Sequence, residues 1–193
     1  MIGKRGEGKT LSCVKEIVEA INRGRVVYSN FRINKKFFPK KFHDNIRVLD
    51  YKFFQNYKDF QLKNCVICID EIYIYIDSRT SMSKRNKVMS YFFNQTRKRD
   101  VDLYYTTQFF HQIDRRLRSN TEVFIFPEKK IFLENKIANP TDHEIKTAPK
   151  DTYTLVITNK IWFPAEKKKI KETFVGNDYF KYYDTDEIID LEE

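Results

Sequence analysis

Gly3-Lys4-Arg5-Gly6-Glu7-Gly8-Lys9-Thr10 satisfies the pattern G-x-x-x-x-G-K-[ST]. In such a loop glycines let successive backbone N–H groups turn inward around an anion. Lys9 places a point charge on the β- and γ-phosphates, and the Thr10 hydroxyl is a ligand for Mg²⁺. A helix beginning near Gly8 adds the positive end of its dipole. The chain has only 5 glycines in 193 residues, and three fall in this loop. Gly3, Lys4, Arg5, Gly6, Glu7, Gly8, Lys9 and Thr10 are therefore the expected nucleotide-binding set, with ATP and Mg²⁺ as the implied ligand and cofactor.

A loop of this kind joins a buried strand to a helix. Only Met1 and Ile2 precede Gly3, too few for a central strand. The expectation is a first core strand missing or cut short by truncation or a late start. After the loop, Leu11, Val14, Ile17, Val18 and Ile21 recur at helical spacing and predict a helix over 8–23, stopped by Gly24. A short strand at 26–28 ends at Ser29-Asn30. The basic stretch 32–41 reads as an exposed loop, 46–49 as a strand, and Asp50 as the cap of a helix over 51–59.

Cys65-Val66-Ile67-Cys68-Ile69 is a continuous apolar run of strand length, suited to a parallel strand buried on both faces. It delivers Asp70-Glu71 to the edge of the sheet. An acidic pair there fits nucleotide chemistry: Asp70 in the Mg²⁺ shell, Glu71 polarising the attacking water. Ile72-Tyr73-Ile74-Tyr75-Ile76 reads as strand by composition, or as an apolar interface segment. Arg79, Lys84, Arg85 and Lys87 make a basic loop or helix start, and a helix follows to about residue 98. The strand 101–106 closes on Thr107-Gln108, where a glutamine reaches a γ-phosphate or its water. Residues 111–118 suggest a short basic helix, with His111 at the surface, and 121–126 a strand. From Pro127 the pattern changes to short β-like runs at 130–133, 153–158, 160–163 and 169–175.

Composition narrows the class. The 41 % apolar and 33 % charged residues are those of a soluble globular chain. No run of 18 or more apolar residues exists, so no spanning helix is predicted, nor a signal peptide. Cys13, Cys65 and Cys68 read as buried thiols, since no second Cys/His pair accompanies the C-x-x-C. The net charge of +9 suggests a polyanionic partner.

In order, these signals are a phosphate loop, a strand ending in Ser-Asn, a strand ending in Asp-Glu, then Arg97-Lys98-Arg99 before a strand ending in Gln108. This order resembles the FtsK–HerA superfamily of DNA-pumping ATPases, above all the genome-packaging ATPases of archaeal and related double-stranded DNA viruses. Zonula-occludens-toxin-like phage assembly ATPases are neighbours. The resemblance covers about residues 1–126 and includes the tail motif Tyr182-Tyr183-Asp184-Thr185-Asp186-Glu187. It implies an α/β P-loop NTPase fold of the RecA/ASCE type, with a mostly parallel sheet flanked by helices. Residues 1–126 would form the ATPase core, and 127–193 a small β-rich extension with an acidic tail. It further implies Gln108 as sensor, with Arg97 or Arg99 acting across a subunit boundary in a pentameric or hexameric ring. The partners implied are double-stranded DNA and a capsid or portal vertex, in the host cytoplasm without stable membrane insertion. DNA phosphates would be gripped by Arg79, Lys84, Arg85 and Lys87, or by the 32–41 stretch. The competing readings are a phage assembly ATPase, a nucleic-acid-binding module with a relic loop, and a small-molecule kinase, for which no lid motif is evident.

Overall fold

The computed structural model describes residues 1–50, 53, 62–76, 79, 84–96, 99–133 and 152–184. Helix α1 (Lys9–Asn22) follows the phosphate loop directly. It ends as the spacing predicts: the Gly24 N–H bonds Ile21 O at 2.8 Å and the Arg25 N–H bonds Ala20 O at 3.0 Å, the paired bonds of a Schellman stop. Strands β1 (Val26–Ser29), β2 (Ile46–Val48), β3 (Cys65–Ile69) and β4 (Val101–Tyr105) form one parallel sheet in the order β2-β1-β3-β4.

β3 lies at the centre of the fold, and all five of its residues are buried. Because side chains alternate across a strand, its residues divide between two cores. Cys65, Ile67 and Ile69 pack with Met89 and Phe92 of helix α2 (Lys84–Thr96) and Leu117 of helix α3 (Arg115–Ser119). Val66 and Cys68 pack with Cys13, Val14, Ile17 and Ile21 of α1. The C-x-x-C thiols therefore face opposite layers and cannot share a metal ion. Burial pushes Cys65 up to about 11 and raises Cys68 as well, so both are inert thiols.

A second sheet is antiparallel, with order β5-β6-β7, from β5 (Phe124–Leu133), β6 (Tyr153–Phe163) and β7 (Lys168–Val175). Its inner face meets α1: Ile131, Leu155, Ile157 and Phe174 cluster with Leu11. Ser12 Oγ donates to Asn159 Oδ1 at 2.9 Å. Lys15 reaches Glu172 at 2.9 Å and Glu19 at 2.7 Å.

Several sequence expectations are corrected. Residues 72–76 are not a strand. Glu71 takes a left-handed backbone, φ 50°, which turns the chain into a 3-10 turn at Ile72–Ile74 and sends Ile72, Tyr75 and Ile76 into the core beside α2. Residues 121–123 are not strand, and 124–126 and 130–133 are one strand, β5, with Pro127 in its middle; 153–158 and 160–163 are likewise one strand, β6. The 32–41 stretch exposes its lysines, but Ile33 and Phe38 are buried. Phe38 meets Tyr182 at 4.8 Å. Of the loop or helix start left open for the basic segment, Lys84, Arg85 and Lys87 are the helix start, the first turn of α2. Asp50 does act as a cap, its Oδ1 accepting from the Phe53 N–H at 2.7 Å; the rest of the 51–59 helix lies outside the described residues.

The slot of the first strand is held by two residues. Ile2 bridges Thr107 in parallel. The Ile2 N–H bonds Ile125 O at 2.8 Å and the Thr107 N–H bonds Met1 O at 3.0 Å, while the Met1 amino group donates to Tyr105 O. Residues 1–2 thus link β4 to β5 and aim the loop.

Candidate functional site

The phosphate loop, the ends of β1 and β3 and the segment after β4 converge at the carboxyl edge of the parallel sheet, where open α/β sheets bind ligands. Gly6 and Gly8 have φ of 80° and 92°, values that side chains resist. A Cβ on Gly8 would also stand 2.5 Å from Cδ1 of Ile157, so the second sheet presses on the loop where α1 begins. Lys9 is buried, and its Nζ donates to the Lys4 carbonyl at 2.9 Å. The ammonium thus spans the loop it would share with a polyphosphate.

Asp70 is held by four hydrogen bonds from three residues. Thr10 Oγ1 donates to its Oδ2 at 2.9 Å and Thr106 Oγ1 to its Oδ1. Asn30 clasps its main chain, accepting from the Asp70 N–H at 2.7 Å and donating to Asp70 O at 2.9 Å. Thr106 Oγ1 accepts from the Glu71 N–H at 2.9 Å, and the Ile72 N–H bonds Thr106 O at 3.0 Å. One threonine therefore orients both acids. Gln108 Nε2 donates to Glu71 Oε1 at 3.4 Å. Glu71 Oε2 is buried and has no hydrogen-bond partner among the described residues. Burial pushes the Glu71 carboxyl above its ordinary value, the Gln108 bond pulls it down, and the Asp70 charge pushes it up again.

These groups fit a magnesium nucleotide. Thr10 and Asp70 are hard oxygen donors already in contact, which suits Mg²⁺, an ion held by one or two protein oxygens together with phosphates and water. Glu71 offers an unpartnered oxygen beside them. The structure thus brings together Lys9, Thr10, Asp70, Glu71 and Gln108.

It does not bring in the arginines. β4 runs parallel to β3 with Val101 opposite Cys65, so Arg99 stands at the amino edge of the sheet, where its carbonyl accepts from the Asn64 N–H at 3.1 Å. That is about 17 Å of strand from Asp70, too far to serve its own site. Arg97 lies outside the described residues. Arg79 and Lys87 are exposed, and Lys84 and Arg85 open α2.

Three contributors escaped the sequence reading. Asn30 and Thr106 were visible as polar strand ends but not as ties to Asp70. Lys129 carries no local signal: it sits within β5, and its Nζ lies 3.9 Å from where a Cβ on Gly6 would be.

Known proteins share this fold. The N-terminal domain of zonular occludens toxin from Neisseria meningitidis superposes with a TM-score of 0.54 at 17 % identity, covering 95 % of this chain and 96 % of that one. B204, the DNA-packaging ATPase from Sulfolobus turreted icosahedral virus, superposes with a TM-score of 0.54 at 12 % identity over 89 % and 94 %. The B204 genome-packaging NTPase of Sulfolobus turreted icosahedral virus 2, in complex with AMPPCP, gives 0.51 at 12 % identity over 89 % and 94 %. At such identities the likeness establishes the P-loop NTPase fold. No curated protein matches the sequence. The family model for zonular occludens toxin (Zot), however, matches residues 1–187, and the chain therefore belongs to the Zot family.

Proposed function

We propose that this chain binds ATP at the carboxyl edge of its parallel sheet and hydrolyses it to move DNA through a ring of copies. The observation that carries the reading is the clasp at Asp70 and Glu71. One carboxylate is engaged at both oxygens by Thr10 and Thr106, with Asn30 holding its main chain, while its neighbour keeps a buried oxygen with no partner among the described residues. Thr10 and Asp70 would hold Mg²⁺, which neutralises charge on the phosphates. Lys9 would exchange the Lys4 carbonyl for phosphate oxygens. Glu71 Oε2 would accept the proton of the attacking water as its oxygen bonds the γ-phosphorus and the bond to ADP breaks. Gln108 would fix the Glu71 carboxylate from the far side.

Charge building on the transferred group calls for a guanidinium beyond the loop's own Arg5, whose charge reaches Glu71. Arg99 faces the wrong end of its own sheet, so Arg97 or Arg99 would come from an adjoining copy. Such a finger is worth about 10³–10⁵ in rate. Stacked copies would make a pentameric or hexameric ring, and the basic 79–87 and 32–41 stretches would face DNA phosphates without reading sequence. Two settings were expected: packaging of double-stranded DNA through a capsid or portal vertex, and phage assembly. Zot family membership favours the second. The host cytoplasm is the proposed location. Among the described residues no helix is long and apolar enough to cross a membrane.

The test is an ATPase assay on wild type, Lys9→Ala, Arg97→Ala and Arg99→Ala, alone and mixed with Glu71→Gln. Lys9→Ala should abolish nucleotide binding. The variant of whichever arginine is the finger should be inactive alone yet regain turnover in mixed rings, where its intact Glu71 site receives the other subunit's guanidinium. Absence of rescue for both arginines overturns the shared site.

A further inference from the structure

We propose that the outer face of the β5-β6-β7 sheet is a binding platform for single-stranded nucleic acid. This inference uses none of the residues of the nucleotide site and stands whether or not that site turns over ATP.

Cross-strand register decides which side chains share the face. Phe124, Trp162 and Lys169 are direct partners, and so are Phe126, Lys160 and Lys171. The ring contact between Phe124 and Trp162, 5.4 Å between centroids, and the Thr158–Thr173 hydroxyl contact at 3.2 Å lie on this same side. The opposite side packs on α1. On the outer side Phe126 and Trp162 are each 38 % exposed and Phe132 43 % exposed. Rings of that size standing in water on a regular strand lattice are costly to leave bare.

Their neighbours identify the occupant. The outer face carries Lys130, Lys160, Lys169 and Lys171, all exposed, against one carboxylate, Glu128, which pairs with Lys160. The other acid of these strands, Glu172, is turned inward to Lys15. Each exposed ring thus has a cation beside it. The aromatic row continues off the sheet: Phe110 meets Phe124 edge-on at 5.2 Å, and the Arg118 guanidinium sits 6.0 Å from the Phe110 ring.

Interleaved rings and cations on a sheet match the two needs of an unpaired strand, since bases stack on rings while lysines neutralise phosphates. A duplex hides its base faces and would use the lysines alone. A membrane surface would want the rings gathered in one apolar patch, whereas lysines here separate them.

Trp162 is the only tryptophan of the chain, so its emission reports the face directly. The full chain is titrated with oligo-dT of twenty nucleotides, with a twenty-base-pair duplex, and with anionic phosphatidylserine vesicles. Oligo-dT should quench Trp162 saturably, with affinity falling about tenfold or more between 50 and 200 mM salt. By anisotropy of labelled oligo-dT, Phe126→Ala should weaken binding about 5- to 100-fold. The double variant Lys169→Glu, Lys171→Glu should weaken it tenfold or more. Circular dichroism of both variants should match wild type, and the wild-type quenching stands without them. The proposal fails if oligo-dT leaves Trp162 emission unchanged at low salt. It fails if duplex binds as well and Phe126→Ala is silent, which leaves phosphate contact only, or if vesicles shift Trp162 where oligo-dT does not.

Discussion

The two sheets of this molecule do opposite things with their side chains. The parallel sheet buries both faces and keeps its chemistry at its carboxyl ends, where Asp70, Glu71 and Thr106 lie within hydrogen-bonding reach. The antiparallel sheet buries one face against α1 and leaves the other wet, with rings and lysines alternating along it. In the first, backbone geometry decides function; in the second, the face itself does. They meet where Ile157 abuts Gly8 and where Lys15 reaches Glu172.

The sharpest way to break this contrast is at the carboxyl edge. Glu71→Gln should lower ATP turnover about 10²–10⁴-fold while nucleotide still binds. The wild-type acidic limb of kcat should lie above the ordinary carboxylate range, because burial raises Glu71. Gln108→Ala removes the bond that favours the charged form and should move that limb further up. A carboxyl raised in the folded state binds more protons there than when unfolded, so its stability contribution falls as pH rises past the ordinary value. Glu71→Gln should therefore melt higher than wild type at neutral pH and converge with it in acid. A flat pH profile would remove the general-base role.

At the joint, Gly8→Ala combines a left-handed backbone with a Cβ 2.5 Å from Ile157, and should cost about 2–4 kcal/mol in urea unfolding. Adding Ile157→Ala should then cost less than it does alone; strict additivity would mean that the two sheets do not press on each other. Lys15→Met leaves Glu16, Glu19 and Glu172 without their shared cation. Two of these acids are near 40 % exposed and rehydrate, so the loss should be about 1–3 kcal/mol. Smallest is the double change Lys169→Glu, Lys171→Glu, expected within about 0.5 kcal/mol of wild type. A large loss there would mean that the outer face is structural.

The same contrast explains what could be read from the chain. Residues 65–69 announce a doubly buried strand because neither face tolerates a polar residue, and Asp70-Glu71 then falls at its edge. The phosphate loop is a local motif and is fully legible. Residues 72–76 are apolar enough for a strand, but the backbone at Glu71 overrides that preference. Asn30 and Lys129 join the site only through pairings 40 or more positions apart, which no local pattern encodes. β5 could not be read as one strand because Pro127 punctuates it in sequence while register carries the ladder straight through. The arginines are half-legible: their spacing sets them apart in the chain, but Arg99 stands at the amino edge of the sheet, about 17 Å of strand from Asp70, and Arg97 lies outside the described residues.

The anchorage of residues 1–2 has a further consequence. The loop's approach is secured by main-chain bonds at Met1 and Ile2 and by the Met1 side chain, which is buried beside Cys13 and Val14 of α1. Such a tether opens at lower free energy than the core it is tied to. Amide protons at residues 2 and 107 should exchange well before those of β3. A bound polyphosphate, by fastening the loop from its other end, would slow that exchange.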